Sequence, residues 1–474
     1  MQSRRDQVQA YFFVVGRLVA GLTHGKPDAV EAPNRRMKTG TVLGFVVAGL
    51  LVAIFGIYGL FVPGGNESWR QNGAIVMVQE TGARYLYLDG QLRPVLNYAS
   101  ARLATGGSGG EVVSVSRKSL GDTAVGGTIG IPGAPDDLPV PDRLDAGPWT
   151  VCLRDKGTGP GAGAPTTTLI LGRSPGPELS DRQGLLVSTV DGKKYLLWQG
   201  KRYRLTDRAA ADALGYGSAP AQRVTAAWLN PLPAGRDLAV PVIPRSGDPG
   251  PVLGGRQSRV GQVYEVRNPA IGSDEMYVVQ ADGLNPLSRT AAALLLGSVS
   301  SKDLNPGGKA VEIGPGEMAG VPVKPVGELA EGYPPPLTGS ALAGLAGDTV
   351  PCARYTPSPG GATTTTLLSL PVGTVNTAAT PTGKHVAGTI ADQVSIPGGS
   401  GVLVKEVAAP GSLAGTEYLV TATGVKYPLA NASVAGALGY GRPPVDVPGA
   451  LLDLLPTGAV LDPAAALNNQ AAGS

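Results

Sequence analysis

The chain has 474 residues, of which 70 are Gly and 42 are Pro, close to a quarter of the total. That length exceeds one compact domain of about 100–200 residues, and so much Gly and Pro excludes an architecture of long helices. With 42% hydrophobic and 16% charged residues and a net charge of only +3, disorder and nucleic-acid binding are excluded too, which leaves short strands joined by tight turns.

The first predicted element is a short amphipathic helix. Val8, Tyr11, Phe12, Val15, Leu18, Val19 and Leu22 recur at spacings of three and four, with Arg4, Arg5, Gln9 and Arg17 elsewhere. A helix this short cannot bury its apolar face alone, so the inner membrane surface or a cytoplasmic partner must receive it. Arg4, Arg5, Tyr11, Phe12, Val15 and Leu18 are the candidate contact residues.

No charged residue occurs from Thr39 to Asn66, and Val42–Val62 is an almost wholly apolar run of 21 residues. At ~1.5 Å per residue it spans roughly 31 Å, the thickness of a bilayer core. It is longer and lies deeper in the chain than a signal peptide, so a retained anchor over 39–62 is expected. Pro63-Gly64-Gly65 ends it. Seven Lys/Arg against three acids precede it, and Arg35, Arg36 and Lys38 abut it. By the positive-inside rule residues 1–38 are cytoplasmic and 63–474 lie outside. Gly40 and Gly44 form a small-xxx-small pair, although Gly is simply common in membrane helices. Phe occurs only at positions 12, 13, 45, 55 and 61, so composition changes sharply at this boundary.

Four outer segments share one phrase, beginning at Ile75, Leu185, Val263 and Val402. Each reads strand, turn, strand with Tyr, Gly turn, short strand, then a short Ala/Leu helix. Asp89-Gly90 and Asp282-Gly283 are the hairpin signals of two of them. Three units also close alike, at Leu232–Pro241, Gly314–Pro322 and Leu455–Pro463. Repeats that each bury too little need neighbours to complete a core. The expected repeats lie near 72–125, 182–242, 260–323 and 400–463, with a core from 126–181 and 324–399. A second duplication relates WTVC at 149–152 to TVPC at 349–352, and Leu214–Gly217 to Leu438–Gly441. The outer region therefore reads as two halves, each with two repeats and one Cys-bearing strand. The two Cys occupy matching places in an extracytoplasmic compartment, where a Cys152–Cys352 disulfide is expected, the alternative being two free buried thiols.

Catalytic and metal chemistry is sparse. Gly192-Lys193, Gly308-Lys309 and Gly383-Lys384 all lack the upstream Gly and following Ser or Thr of a phosphate loop. Gly106–Gly110 fits GxSxG formally but reads as a linker, and Gly157–Gly163 reads as a flexible loop. His385 is the one outer His, so no His-based metal cluster is expected. Asp136-Asp137 sits among prolines as a turn-capping pair rather than an acid/base dyad. Trp69, Trp149, Trp198 and Trp228 are expected to pack the repeats.

MQSRRDQVQAYFFVVGRLVAGL at the start, the RR before one span, TGARYLYLDGQLRPVLNYASARL at 81–103, GIPGAPDDLP at 130–139 and WTVC at 149–152 resemble the EccB family. These are membrane-core components of actinobacterial type VII (ESX) secretion systems. The resemblance implies an N-in, single-pass cell (inner) membrane protein with four repeat subdomains round a split core that the Cys pair links. It also implies assembly with the FtsK/SpoIIIE-like ATPase EccC, polytopic EccD, EccE and a mycosin protease. Some family members carry an ATPase designation, so ATP enters as a cofactor by resemblance alone.

The fold expected is mainly β with short helices (α+β): one N-terminal transmembrane helix, then an elongated pseudo-twofold extracytoplasmic domain of four β-rich repeats around a split central core. The expected role is a scaffolding subunit of a secretion complex that oligomerises outside the membrane, with no catalytic residue and no metal. The alternatives are an ATP hydrolase with an unrecognised site and a cell-wall-binding module.

Overall fold

The computed structural model describes residues 4–25, 34–61, 67–107, 110–145, 147–154, 163–172, 176–338, 342, 348–358, 360–376, 380–382, 389–409, 411–412 and 414–470. Two helices open the chain, Arg4–His24 and Asn34–Phe61. Within the second, Met37–Gly59 is long and apolar enough to cross a membrane, with a mean hydropathy of 2.5 and none of its apolar window covered by protein. The helix starts at Asn34, ahead of the uncharged stretch, so Arg35, Arg36 and Lys38 lie on its first turns rather than before it. Nothing in Asn34–Lys38 breaks a helix, and the apolar run continues the same backbone ladder.

The remainder is mainly β with short helices. Four separate four-stranded sheets share one topology. In the first repeat the order is Gln91–Pro94, Arg84–Leu88, Ile75–Val78, Val112–Val115. The first three strands form an antiparallel meander, and the fourth pairs in parallel with Ile75–Val78. Helix Tyr98–Ala104 makes the crossover that a parallel pair requires. The second repeat repeats this with Gly184–Thr189, Lys194–Trp198, Lys201–Leu205, helix Arg208–Ala213 and Gln222–Val224. The third uses Val263–Asn268, Ser273–Gln280, Gly283–Leu287, helix Arg289–Leu296 and Val311–Ile313. The fourth uses Val402–Val407, Glu417–Val420, Lys426–Pro428, helix Ser433–Ala437 and Val445–Pro448.

The repeat phrase legible in the sequence ends at the helix, and the structure adds a fourth strand to each unit. The closing phrases have a role of their own. They run parallel beside the third strand through bridges such as Leu205 with Leu238, Leu284 with Val323 and Leu429 with Leu461. They cover an edge that would otherwise expose unpaired backbone groups. The register is equivalent throughout: Tyr85 faces Pro94, Tyr195 faces Arg204, Tyr277 faces Pro286 and Tyr418 faces Pro428. Asp89 and Gly90 both take positive φ (51° and 79°), the conformation of a tight hairpin turn.

A six-stranded sheet draws on both halves of the chain. Its order is Thr363–Pro371, Thr349–Pro357, Trp149–Arg154, Thr166–Leu171, Gln393–Ser395, Thr380–Pro381. The two hairpins meet along Thr349–Pro357 and Trp149–Arg154, which are antiparallel. An antiparallel pair carries a local twofold axis, so hairpins of equal design dock here symmetrically. A core built of Trp149, Val151, Tyr355, Trp228, Val404 and Leu451, among others, joins this sheet to the second and fourth repeats.

Repeats pack across the sequence halves rather than within them. Ala99 and Leu103 of the first repeat share a core with Leu403, Val434 and Leu438 of the fourth. Leu294 of the third joins Leu186, Leu196 and Leu214 of the second. The contacts correspond: a Cβ at Gly107 would come within 3.0 Å of the Ala437 Cα, and one at Gly297 within 2.4 Å of the Ala213 Cβ. The twofold axis relates the two contacts, because it carries the first repeat onto the third and the second onto the fourth.

Candidate functional site

The candidate side chains fall in three places, two of them singled out in the sequence. On helix Arg4–His24, Arg4 and Arg5 occupy the first turn and Tyr11, Phe12, Val15 and Leu18 are all exposed. Tyr11 and Phe12 touch edge to face at 5.9 Å, and the Arg17 guanidinium lies over the Phe13 ring at 5.8 Å. Phe13 and Val14 are exposed as well, so the apolar surface is wider than the periodic stripe. The unbroken run Tyr11–Val15 was the available signal, because five consecutive apolar residues on a helix must point nearly all round it.

The second place is the centre of the six-stranded sheet. Cys152 and Cys352 face each other in register and form a disulfide, with Cα atoms 4.1 Å apart and 200 residues between them. Both are fully buried among Ile170, Val350, Leu368, Leu370 and Val375. Beside them the Trp228 indole donates to the Val151 carbonyl at 3.0 Å. Trp69 and Trp149 are also fully buried, whereas Trp198 is half-buried and donates to the Asp181 carbonyl.

Asp136 is a structural carboxylate. It pairs with Arg84 and accepts from the Tyr98 N–H at 2.8 Å, at the start of the first repeat's helix. The hydrogen bond from Arg84 holds its carboxyl below the usual range. Among the described residues no group of three metal-ligating side chains gathers. Ser108, Gly109, residues 157–162, Gly383, Lys384 and His385 lie outside the described residues.

The third place was not visible in the sequence. A cavity of about 520 Å³ opens in the second repeat between the 189–194 hairpin and helix Arg208–Ala213. Lys193, Lys194, Arg204 and Arg208 line it, together with Asp191 and Asp207. Asp191 is held at about 2 by the Lys193 hydrogen bond, and Asp207 caps the helix by accepting from the Ala210 N–H. The Lys194 ammonium donates to the carbonyls of Tyr216 and Gly217 at 3.5 and 3.1 Å. The arrangement can hold an anion.

The family model "Type VII secretion system ESX-1, transport TM domain B" matches residues 1–472. The chain belongs to the EccB family. The ESX-3 secretion system ATPase EccB3 of Mycolicibacterium smegmatis is 34% identical over 485 residues, covering 96% of this chain and 89% of that protein. Its counterpart in Mycobacterium tuberculosis is 32% identical, covering 98% and 89%. Among solved structures, the EccB3 dimer from the ESX-3 core complex superposes with a TM-score of 0.67 at 29% identity, covering 83% of this chain and all of that one. The periplasmic assembly from the ESX-5 inner membrane complex gives 0.66 at 25% identity, covering 87% and 98%. This EccB-family chain is thus a structural subunit of a type VII membrane complex, with one candidate span near its N-terminus.

Proposed function

We propose that the chain works as a scaffold with its N-terminus in the cytoplasm. The span fixes it in the membrane, Arg35, Arg36 and Lys38 set the orientation, and the repeats associate outside with further copies. Helix Arg4–His24 docks on the cytoplasmic side, and the assembly includes the EccC ATPase, EccD, EccE and a mycosin protease. The observation that carries this reading is an exposed apolar helix at one end of a chain whose bulk is four sheets tied to one disulfide-centred core. Extraction in mild detergent is the test. Co-elution with the other membrane subunits is expected, and elution as a lone monomer overturns the reading.

ATP hydrolysis is the second reading, favoured by the ATPase in the names of the relatives. Turnover by the purified chain that a cavity substitution such as Arg204→Gln abolishes would establish it over the pure scaffold.

A further inference from the structure

The equivalent register of the four repeats makes the second-repeat cavity conspicuous. Where the second repeat has Arg204, the others have Pro94, Pro286 and Pro428, each opposite the equivalent Tyr. At the place of Lys194 they have Arg84, Met276 and Glu417, and at the place of Lys193, Ala83, Glu275 and Thr416. The fold therefore does not need these cations. The second repeat alone has gathered all three, and no carboxylate pairs with Arg204 among the described residues.

The first repeat shows what this position accepts. There the equivalent cation, Arg84, is met by Asp136, which also accepts from the first N–H of the repeat's helix. Asp136 arrives on the Pro-rich stretch 132–139 of the same chain. In the second repeat no carboxylate meets the equivalent cation among the described residues: Lys194 reaches the Tyr216 and Gly217 carbonyls, and the cavity lies beside it, with Arg208 as the helix's first residue.

We propose that this cavity docks an acidic, extended peptide segment of a partner protein, a carboxylate reaching Lys194 and Arg204 as Asp136 reaches Arg84. One feature selects a peptide over a nucleotide: no aromatic side chain lines the cavity to stack a base. A neighbouring cavity of about 590 Å³ shares Asp191 and Lys193 and is lined by Val190, Tyr195, Val224 and Leu229, a surface for apolar residues beside the acid. Val190 is 91% exposed.

The inference rests on the scaffold reading only in taking the ligand from a partner; binding is measured on the chain alone, so its failure leaves assembly untouched. The probe is a fluorescein-labelled peptide of residues 132–140, PGAPDDLPV, titrated into the full chain in mild detergent at low salt. Saturable binding is expected, weakened roughly tenfold by Lys194→Gln with Arg204→Gln. Arg204→Gln alone, at an exposed side chain, weakens it with the melting temperature unchanged, and Lys201→Gln outside the cavity has no effect. A peptide with Asn for both Asp residues binds at least tenfold more weakly. Equal binding by the variants or by the Asn peptide overturns the proposal. So does displacement by MgATP or pyrophosphate, which would make the cavity a phosphate site.

Discussion

Cys152 faces Cys352 across the central antiparallel strand pair, at the point where the two hairpins of the chain meet. The bond closes a loop of 200 residues, and in the chain-entropy account such a closure stabilises by up to roughly 5 kcal/mol. Replacing both Cys by Ser should lower the unfolding free energy by several kcal/mol, read as the shift in denaturant midpoint. Because both residues are fully buried, reductant alone should leave the folded protein oxidised by thiol count. A double variant as stable as the parent would show that packing around Ile170 and Leu368 suffices.

Gly200 tests how closely the second repeat rides on the central sheet. Its φ is +71°, and a Cβ there would sit 2.0 Å from the Thr365 carbonyl oxygen. Gly82 has a similar φ of +69° but open space around it. Gly82→Ala should therefore cost about 1 kcal/mol, the backbone strain alone. Gly200→Ala adds a backbone clash and should cost roughly 3 kcal/mol or more. Equal losses in thermal unfolding would place the sheet contact elsewhere.

Lys426 offers a pH test. Its ammonium is buried and donates to the Leu452 carbonyl at 2.7 Å, as Arg202 donates to the Leu229 carbonyl in the second repeat. Burial pushes its pKa below the usual lysine value, with Asp453 at 3.9 Å and Glu406 opposing the shift, and the Tyr418 ring packs at 5.5 Å. The unfolded chain thus binds the proton more tightly than the folded one. Stability gained through Lys426 must rise as pH climbs from the folded pKa towards about 10.5. The parent should gain on Lys426→Met across pH 8 to 10.5 in paired denaturation curves; a constant difference would refute it.

Local signals carried much of this fold and long-range geometry the rest. The apolar run that opens at Val42 is legible by length and polarity alone and falls on the one described helix long enough to cross a membrane, and the phrases at Ile75, Leu185, Val263 and Val402 each form a strand. The fourth strands leave no local signal, because segments as short as Gln222–Val224 have no periodicity to read and pair in parallel after a crossover. The packing of Gly297 on Ala213 joins residues of different halves, 84 positions apart in the chain, where no local signal marks the contact. Arg204 is unremarkable in one dimension. It stands out once Tyr195 is aligned with Tyr85, Tyr277 and Tyr418, each facing a Pro.

The exposed face of helix Arg4–His24 supplies the last prediction. Tyr11, Phe12 and Leu18 are each more than half exposed, and apolar side chains of this size gain about 1.5–3 kcal/mol each on full burial. Replacing Tyr11, Phe12 and Leu18 by Ser removes most of that gain without touching any packed core, so the four repeats should fold as before. If this face docks on membrane subunits, the triple variant should stay in the membrane through Met37–Gly59 yet lose co-elution with the complex. Arg4→Gln with Arg5→Gln should act more weakly, because exposed charges at such a contact contribute roughly 1 kcal/mol or less. Undiminished co-elution of the triple variant would move the contact to the span or the four repeats.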